Sequence, residues 1–224
     1  VVGSRPGDLI LTSGLVAATL RETVGHGETV IRARAGELRS LSSYMDRGLV
    51  LHPVAEFASG VRRHGHYVVL RLRIPPTGEQ VRRAEEIARE MLAENAAWRG
   101  RVNARRRRLV GLLPLPAGFK ASLARHVESS GYDWLGLFMG RLAPHRWTCI
   151  GACLELYRRL GVRTAPYGTG LLGFGTTLFD PIMPVRFLSD PAFRLLRLGD
   201  AADSAAQRPS VALGAASPGR SEAT

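Results

Sequence analysis

Residues 67–92 read YVVLRLRIPPTGEQVRRAEEIAREML, and two different periods meet at the Pro75-Pro76 step. Before it, Val68, Leu70, Leu72 and Ile74 alternate with Tyr67, Val69, Arg71 and Arg73, the pattern of a strand in a sheet with one covered face. After it, Thr77 with Gln80 three residues on forms a capping box, and Val81, Ala84, Ala88, Met91 and Leu92 recur at helical spacing. The chain turns here from sheet to helix.

Toward the N-terminus the short alternating or β-branched segments ETVIRA (28–33), LRSLSS (38–43) and GLVLHPV (48–54) are separated by the turns RAGE, MDRG and RRHGH. They predict a run of antiparallel strands. RPGDLILTSG (5–14) predicts a turn followed by an extended apolar run, and LVAATLRETVG (15–25) a short helix built on Leu15, Ala18 and Leu20. Toward the C-terminus, residues 99–130 read as an Arg-rich helical insertion, with a short helix through KASLARHV (120–127). A helix from Cys149 to Leu160 follows, stopped by Gly161. Gly- and Pro-punctuated strand and loop come next, and residues 200–224, rich in Ala, Ser and Pro, predict a disordered tail. A strand block followed by helices makes the fold class α+β, with residues 1–199 as one domain.

The 224 residues, 45% of them hydrophobic, can bury one sizeable core. No apolar run approaches the roughly 18 to 20 residues of a spanning helix, and the first residues lack the order of a signal peptide. The chain as given is expected to be soluble or peripheral, and because it begins at Val1 the compartment stays open. The formal charge of +12 comes almost wholly from Arg, a bias that a high-GC genome produces as readily as a basic function. Its sharpest cluster is RGRVNARRRR (99–108), in which Arg105, Arg106, Arg107 and Arg108 are candidate anion contacts. The cluster reads as a solvated helix face or as a contact for an anionic membrane or protein surface. Nucleic acid is disfavoured, because no aromatic residue interleaves with these arginines to stack on a base.

GTGLLG (168–173) has the spacing of a dinucleotide loop, but TTLFDPIMP follows it, and Pro181 and Pro184 forbid the helix that such a loop needs. No cofactor is expected. Cys149 and Cys153 have no CxxC or HxxxH partners, so no metal is expected either, and a disulfide within one helix would close almost no loop. The two cysteines are unlike. Cys153 joins Ala152, Leu156 and Leu160 in an apolar stripe, with Glu155, Arg158 and Arg159 outward. Cys149 lies in the first turn, where unpaired N–H groups and the helix dipole favour a thiolate. On residues alone it stays open between a buried free cysteine and a nucleophile.

Taken in order, several segments resemble the permuted papain-like hydrolases of the NlpC/P60 superfamily, in particular the YaeF/YiiX-like branch. These are Gly7-Asp8-Leu9-Ile10, His26 in GHGETVI, the RAGE turn, GLVLHPVAEF, and the strand and Ala/Glu-rich helix of residues 67–92. Tyr132-Asp133-Trp134 and the helix from Cys149 to Gly161 complete the series, which spans residues 7–98 and 131–190. The resemblance implies an antiparallel sheet or half-barrel packed on helices. It also implies a Cys/His mechanism in permuted order, with His26 as general base and Cys149 attacking a carbonyl to form a thioester. The third polar member would fall at Ser42 or Ser43, with Glu28 and Glu56 as fallback carboxylates, and Tyr132 would lie near the oxyanion. His145 is the alternative base, while His52, His64, His66 and His126 read as surface or packing residues. Where relatives carry a Ser-Glu-like pair after the Cys and a Val after the His, this chain has Ile150-Gly151 and Gly27. The implied function is that of a cysteine hydrolase or acyltransferase acting on a peptide, a peptidoglycan fragment or a lipid-linked substrate. The alternative is a degenerate papain-like domain that binds an anionic membrane or a protein partner.

Overall fold

Six strands hydrogen-bond in one sheet: β1 (Leu9–Thr12), β2 (His26–Arg32), β3 (Leu38–Tyr44), β4 (Gly48–Pro53), β5 (His66–Leu72) and β6 (Phe193–Asp200). Their order is β4-β3-β2-β1-β5-β6, and every neighbouring pair is antiparallel. Among the described residues three α-helices accompany the sheet: α1 (Gly78–Gly111), α2 (Ala117–His126) and α3 (Cys149–Arg159). The computed structural model describes residues 3–12, 26–56, 66–134, 136, 144–165 and 184–200. The class is α+β, an antiparallel sheet packed on helices. Residues 15–25, His64, GTGLLG and residues 201–224 lie outside the described residues.

The core sits between the sheet and α1 and α3. Leu9, Leu11, Val68, Leu70 and Leu72 meet Ile150, Cys153, Leu154 and Tyr157, while Ile31, Leu41 and Leu49 meet Ala84, Ile87, Ala88, Met91, Ala152 and Leu156. Because α3 supplies both clusters it is buried from Cys149 through Tyr157, and each large apolar side chain it buries contributes about 1.5–3 kcal/mol. Glu155, expected to point outward, is buried too, and it survives there because Arg158 and Arg159 both donate to it. The opposite face of the sheet is not open, contrary to the expectation from residues 67–74. Tyr67 and Val69 pack there with Ile10, Val30 and Val54, and Ile74, beyond the end of β5, is 84% exposed.

Arg71 is not a solvated strand residue either. Its Nε and Nη2 each donate to a carboxylate oxygen of the buried Asp8 at 2.8 Å, a bidentate pair that ties the turn before β1 to β5. The capping box on α1 forms as its sequence dictates: Gln80 N–H donates to Thr77 Oγ1 at 3.2 Å and Thr77 N–H to Gln80 Oε1 at 2.8 Å. That helix runs on through Gly111, so the Arg-rich residues 99–108 continue it in one piece of 34 residues. Strand β6, adding to the free edge of β5, takes in Gly199 and Asp200, where the tail was expected to begin. Among the described residues no helix is long and apolar enough to cross a membrane.

Candidate active site

Cys149 opens α3. Thr148 is the N-cap, in extended backbone, and its Oγ1 accepts from Gly151 N–H at 2.9 Å. That cap leaves the earlier N–H groups of the turn available, and Ile150 N–H and Gly27 N–H both hydrogen-bond to the Cys149 thiol. His26, the first residue of β2, makes a side-chain hydrogen bond to the same sulfur. Burial opposes the charged form of both groups, yet the contact with His26 and the two backbone donors hold the thiol below its ordinary value. On the histidine side the bonds to Cys149 and Glu28 outweigh burial and push the imidazole up to about 10. Both shifts favour the thiolate and imidazolium forms of the pair.

Glu28 stands two residues along β2 from His26, on the same side of the sheet, and it is completely buried. Its Oε1 lies 3.2 Å from His26 Nε2 and accepts from the Tyr44 hydroxyl, while His52 Nε2 lies 3.1 Å from Oε2. Burial favours the neutral acid, but the two histidines hold the carboxyl well below the usual range. The same carboxylate, with burial, drives the Tyr44 hydroxyl upward, so Tyr44 stays a donor. With Nε2 of His26 turned to Glu28, Nδ1 is the ring nitrogen left for sulfur.

Of the two serines, Ser42 reaches the site. Its Oγ lies 3.3 Å from His26 Nε2 and donates to Gly27 O at 2.7 Å. Ser43 falls on the other side of β3, buried with its hydroxyl unpaired, because successive strand residues face opposite ways. Glu56 meets His52 at 4.0 Å rather than His26. Tyr132 is buried, and its hydroxyl makes hydrogen bonds to both the backbone and the thiol of Cys149. Burial first and the thiol's charge second raise that hydroxyl, which keeps its proton to donate. His145 takes a left-handed backbone, φ 65°, and faces Glu94 at 3.4 Å. His126 is exposed and bonded to Ser122 O. Cys153 packs in the core, where burial pushes its thiol far up.

Gly27 has a packing reason. A Cβ at this position would come within 2.3 Å of Ile150 Cδ1 and 3.0 Å of Leu11 Cδ2. A side chain here would displace Ile150, so the departure at residue 27 goes with the residue that follows Cys149 in this chain. The sequence reading did not name Tyr44, placed His52 among the surface or packing residues and held Glu28 in reserve as a fallback carboxylate. The signal for Glu28 was the period of two, which sets it beside His26. His52 had none, since its place depends on pairing β4 with β3, where it stands opposite Ser40.

The four consecutive arginines lie in the second half of α1. Arg106 and Arg107 bend toward the segment after α2, where Arg106 Nη1 donates to Val127 O and Arg107 Nη1 to Glu128 Oε1 at 2.6 Å. Arg105 and Arg108 are exposed on α1. Among the described residues no group of three or more His, Cys, Asp or Glu side chains is arranged to hold a metal ion.

No family model and no curated protein matches the chain. Among solved structures it is similar to the metalloprotein yiiX from Escherichia coli O157:H7, at 12% identity and a TM-score of 0.48, over 87% of this chain and 97% of that one.

Proposed function

We propose that the protein is a cysteine-dependent hydrolase or acyltransferase of the permuted papain-like class, acting on an amide or ester carbonyl. The observation that carries this reading is the Cys149 thiol at the first turn of α3, hydrogen-bonded to His26, whose imidazole is backed by the buried Glu28. The thiolate adds to the carbonyl carbon, and the carbonyl electron pair moves onto oxygen. First-turn N–H groups of α3 and the Tyr132 hydroxyl are the donors nearest that developing charge. His26 then gives its proton to the departing nitrogen or oxygen, leaving a thioester on Cys149. Water, or an acceptor hydroxyl or amine, attacks the thioester while His26 takes the incoming proton. Glu28 touches no reacting atom. It is a positioning residue that holds the ring and stabilises its charge.

Candidate substrates are a peptide, a peptidoglycan fragment or a lipid-linked amide or ester. The test is alkylation by iodoacetamide at neutral pH, followed by peptide mapping. Cys149 is expected to react far faster than Cys153, and His26→Ala to remove the difference. Equal, slow labelling of both thiols in the unaltered protein would overturn the reading.

A further inference from the structure

A groove of about 830 Å³ opens beside Tyr132, between the second half of α1, the turn from β3 to β4 and residues 128–134. Its wall carries Arg99, Arg106, Arg125 and Arg146 together with Trp98 and Trp134. We propose that this groove binds a phosphate group, and that the substrate presented to Cys149 carries one; the second clause rests on the function proposed above.

The charge balance of the groove is the reason. Two acidic residues line it, and both are already engaged: Glu128 accepts from Arg107 at 2.6 Å, and Asp46 lies 3.7 Å from Arg47. Arg146 is neutralised by Asp133 at 3.2 Å and rests on the Trp98 ring. Arg99, Arg106 and Arg125 are left, and none has a carboxylate within ion-pair distance among the described residues. Three like charges around one depression repel each other unless an anion joins them.

Two of the three guanidinium groups are already aimed. Arg99 Nη1 is held by Arg47 O at 3.3 Å and Ser130 O at 3.5 Å, and Arg106 Nη1 by Val127 O at 2.5 Å. Each bond uses one nitrogen and leaves the rest of the fork free for oxygen atoms. One carboxylate would be satisfied by a single fork, whereas a dianionic phosphate has oxygens enough for three. Arg99, Asn103 and Arg106 recur at helical spacing, so α1 presents them on one face, and Asn103 is fastened to Ser129 in both directions.

The groove also leads to the chemistry. Trp134 is 49% exposed and packs edge-on against Tyr132, with ring centroids 5.4 Å apart, and Tyr132 touches Cys149. A ligand with its phosphate among the arginines can lay an apolar part along Trp134 and bring a carbonyl toward the thiol. The volume suits a small-molecule ligand.

The experiment titrates the full chain with inorganic phosphate and with phenyl phosphate, following tryptophan fluorescence, and measures its sedimentation with two kinds of vesicle. One kind is phosphatidylcholine alone; the other is equal parts phosphatidylcholine and phosphatidylglycerol. Saturable, salt-sensitive binding is expected, weakened about tenfold or more by Arg99→Gln or Arg125→Gln and unchanged by Arg83→Gln on the exposed part of α1. Binding of the soluble phosphates identifies a free ligand, and binding to the mixed vesicles alone identifies a lipid headgroup. No saturable binding of any of the four, or binding that Arg99→Gln and Arg125→Gln leave intact, overturns the proposal. Iodoacetamide labelling of the same samples separates the two claims. A reactive Cys149 without phosphate binding sinks only the groove, and phosphate binding with an unreactive Cys149 sinks the chemistry.

Discussion

Glu28 is a carboxylate with no solvent, held between two histidines and a tyrosine hydroxyl. Glu28→Gln keeps its shape and removes the charge, so the His26 imidazolium loses one of its two anionic partners and holds its proton, the countercharge of the thiolate, less firmly. The rate of Cys149 alkylation below neutral pH is expected to fall by about tenfold for each unit by which the thiol pKa rises. A purely structural loss would slow labelling equally at all pH, so an alkylation profile that keeps its midpoint would contradict the role. At Gly27 the expectation is steric. Gly27→Ala drives a methyl into the buried Ile150, and overpacking of this kind costs about 1–3 kcal/mol. It also pushes the first turn of α3 away from His26, so urea denaturation and Cys149 labelling are expected to weaken together.

At the scale of elements, helix starts and strand ends put the reacting groups in place. Thr148→Ala removes the hydrogen bond to Gly151 N–H and is expected to cost about 0.5–2 kcal/mol in urea unfolding, as lost caps do. Asp8 and Arg71 join the turn before β1 to the neighbouring strand β5. Arg71→Met leaves Asp8 buried without its bidentate partner, and a loss of about 3 kcal/mol is expected, against little change for the exposed Arg73→Met. Asn95 does similar work on the helical side. It donates to Gly131 O and His145 O and accepts from Leu49 N–H, so α1, β4 and the two stretches flanking the Tyr132 bridge to Trp147 share one side chain.

For the whole molecule, the coupled pair makes a particular pH dependence of stability. A histidine raised from 6.5 to about 10 contributes stability that is full below 6.5 and is lost as pH rises through about 10. A thiol lowered from 9.0 contributes stability that is present above 9.0 and is lost as pH falls. Just below 9.0 the two slopes oppose each other, because folding there moves a proton from sulfur to nitrogen. Above 9.0 the unfolded thiol is ionised as well and only the histidine slope is left, so the melting-temperature difference between the unaltered protein and Cys149→Ser is expected to shrink as pH rises toward about 10. A difference that grows over that interval would contradict the raised histidine.

What could be read in advance was whatever depends on residues near one another in the chain. The alternation at 67–72, the box of Thr77 and Gln80, and the position of Cys149 in a first turn are local, set by backbone period and capping. The spacing of His26 and Glu28 was local as well, but its meaning depended on burial, which a chain read alone leaves open. The rest was settled by packing. Strand pairing set His52 against Glu28, and it turned Ser42 toward the site and Ser43 away. The unbroken course of α1 gathered Arg99 and Arg106 with Arg125 around one groove, where the sequence had offered only a run of like charges. The sequence by itself determined which residues could bear a charge or start a helix; the tertiary structure decided which of them meet, because a thiolate, an imidazolium and a buried carboxylate stabilise one another only at contact distance and out of water.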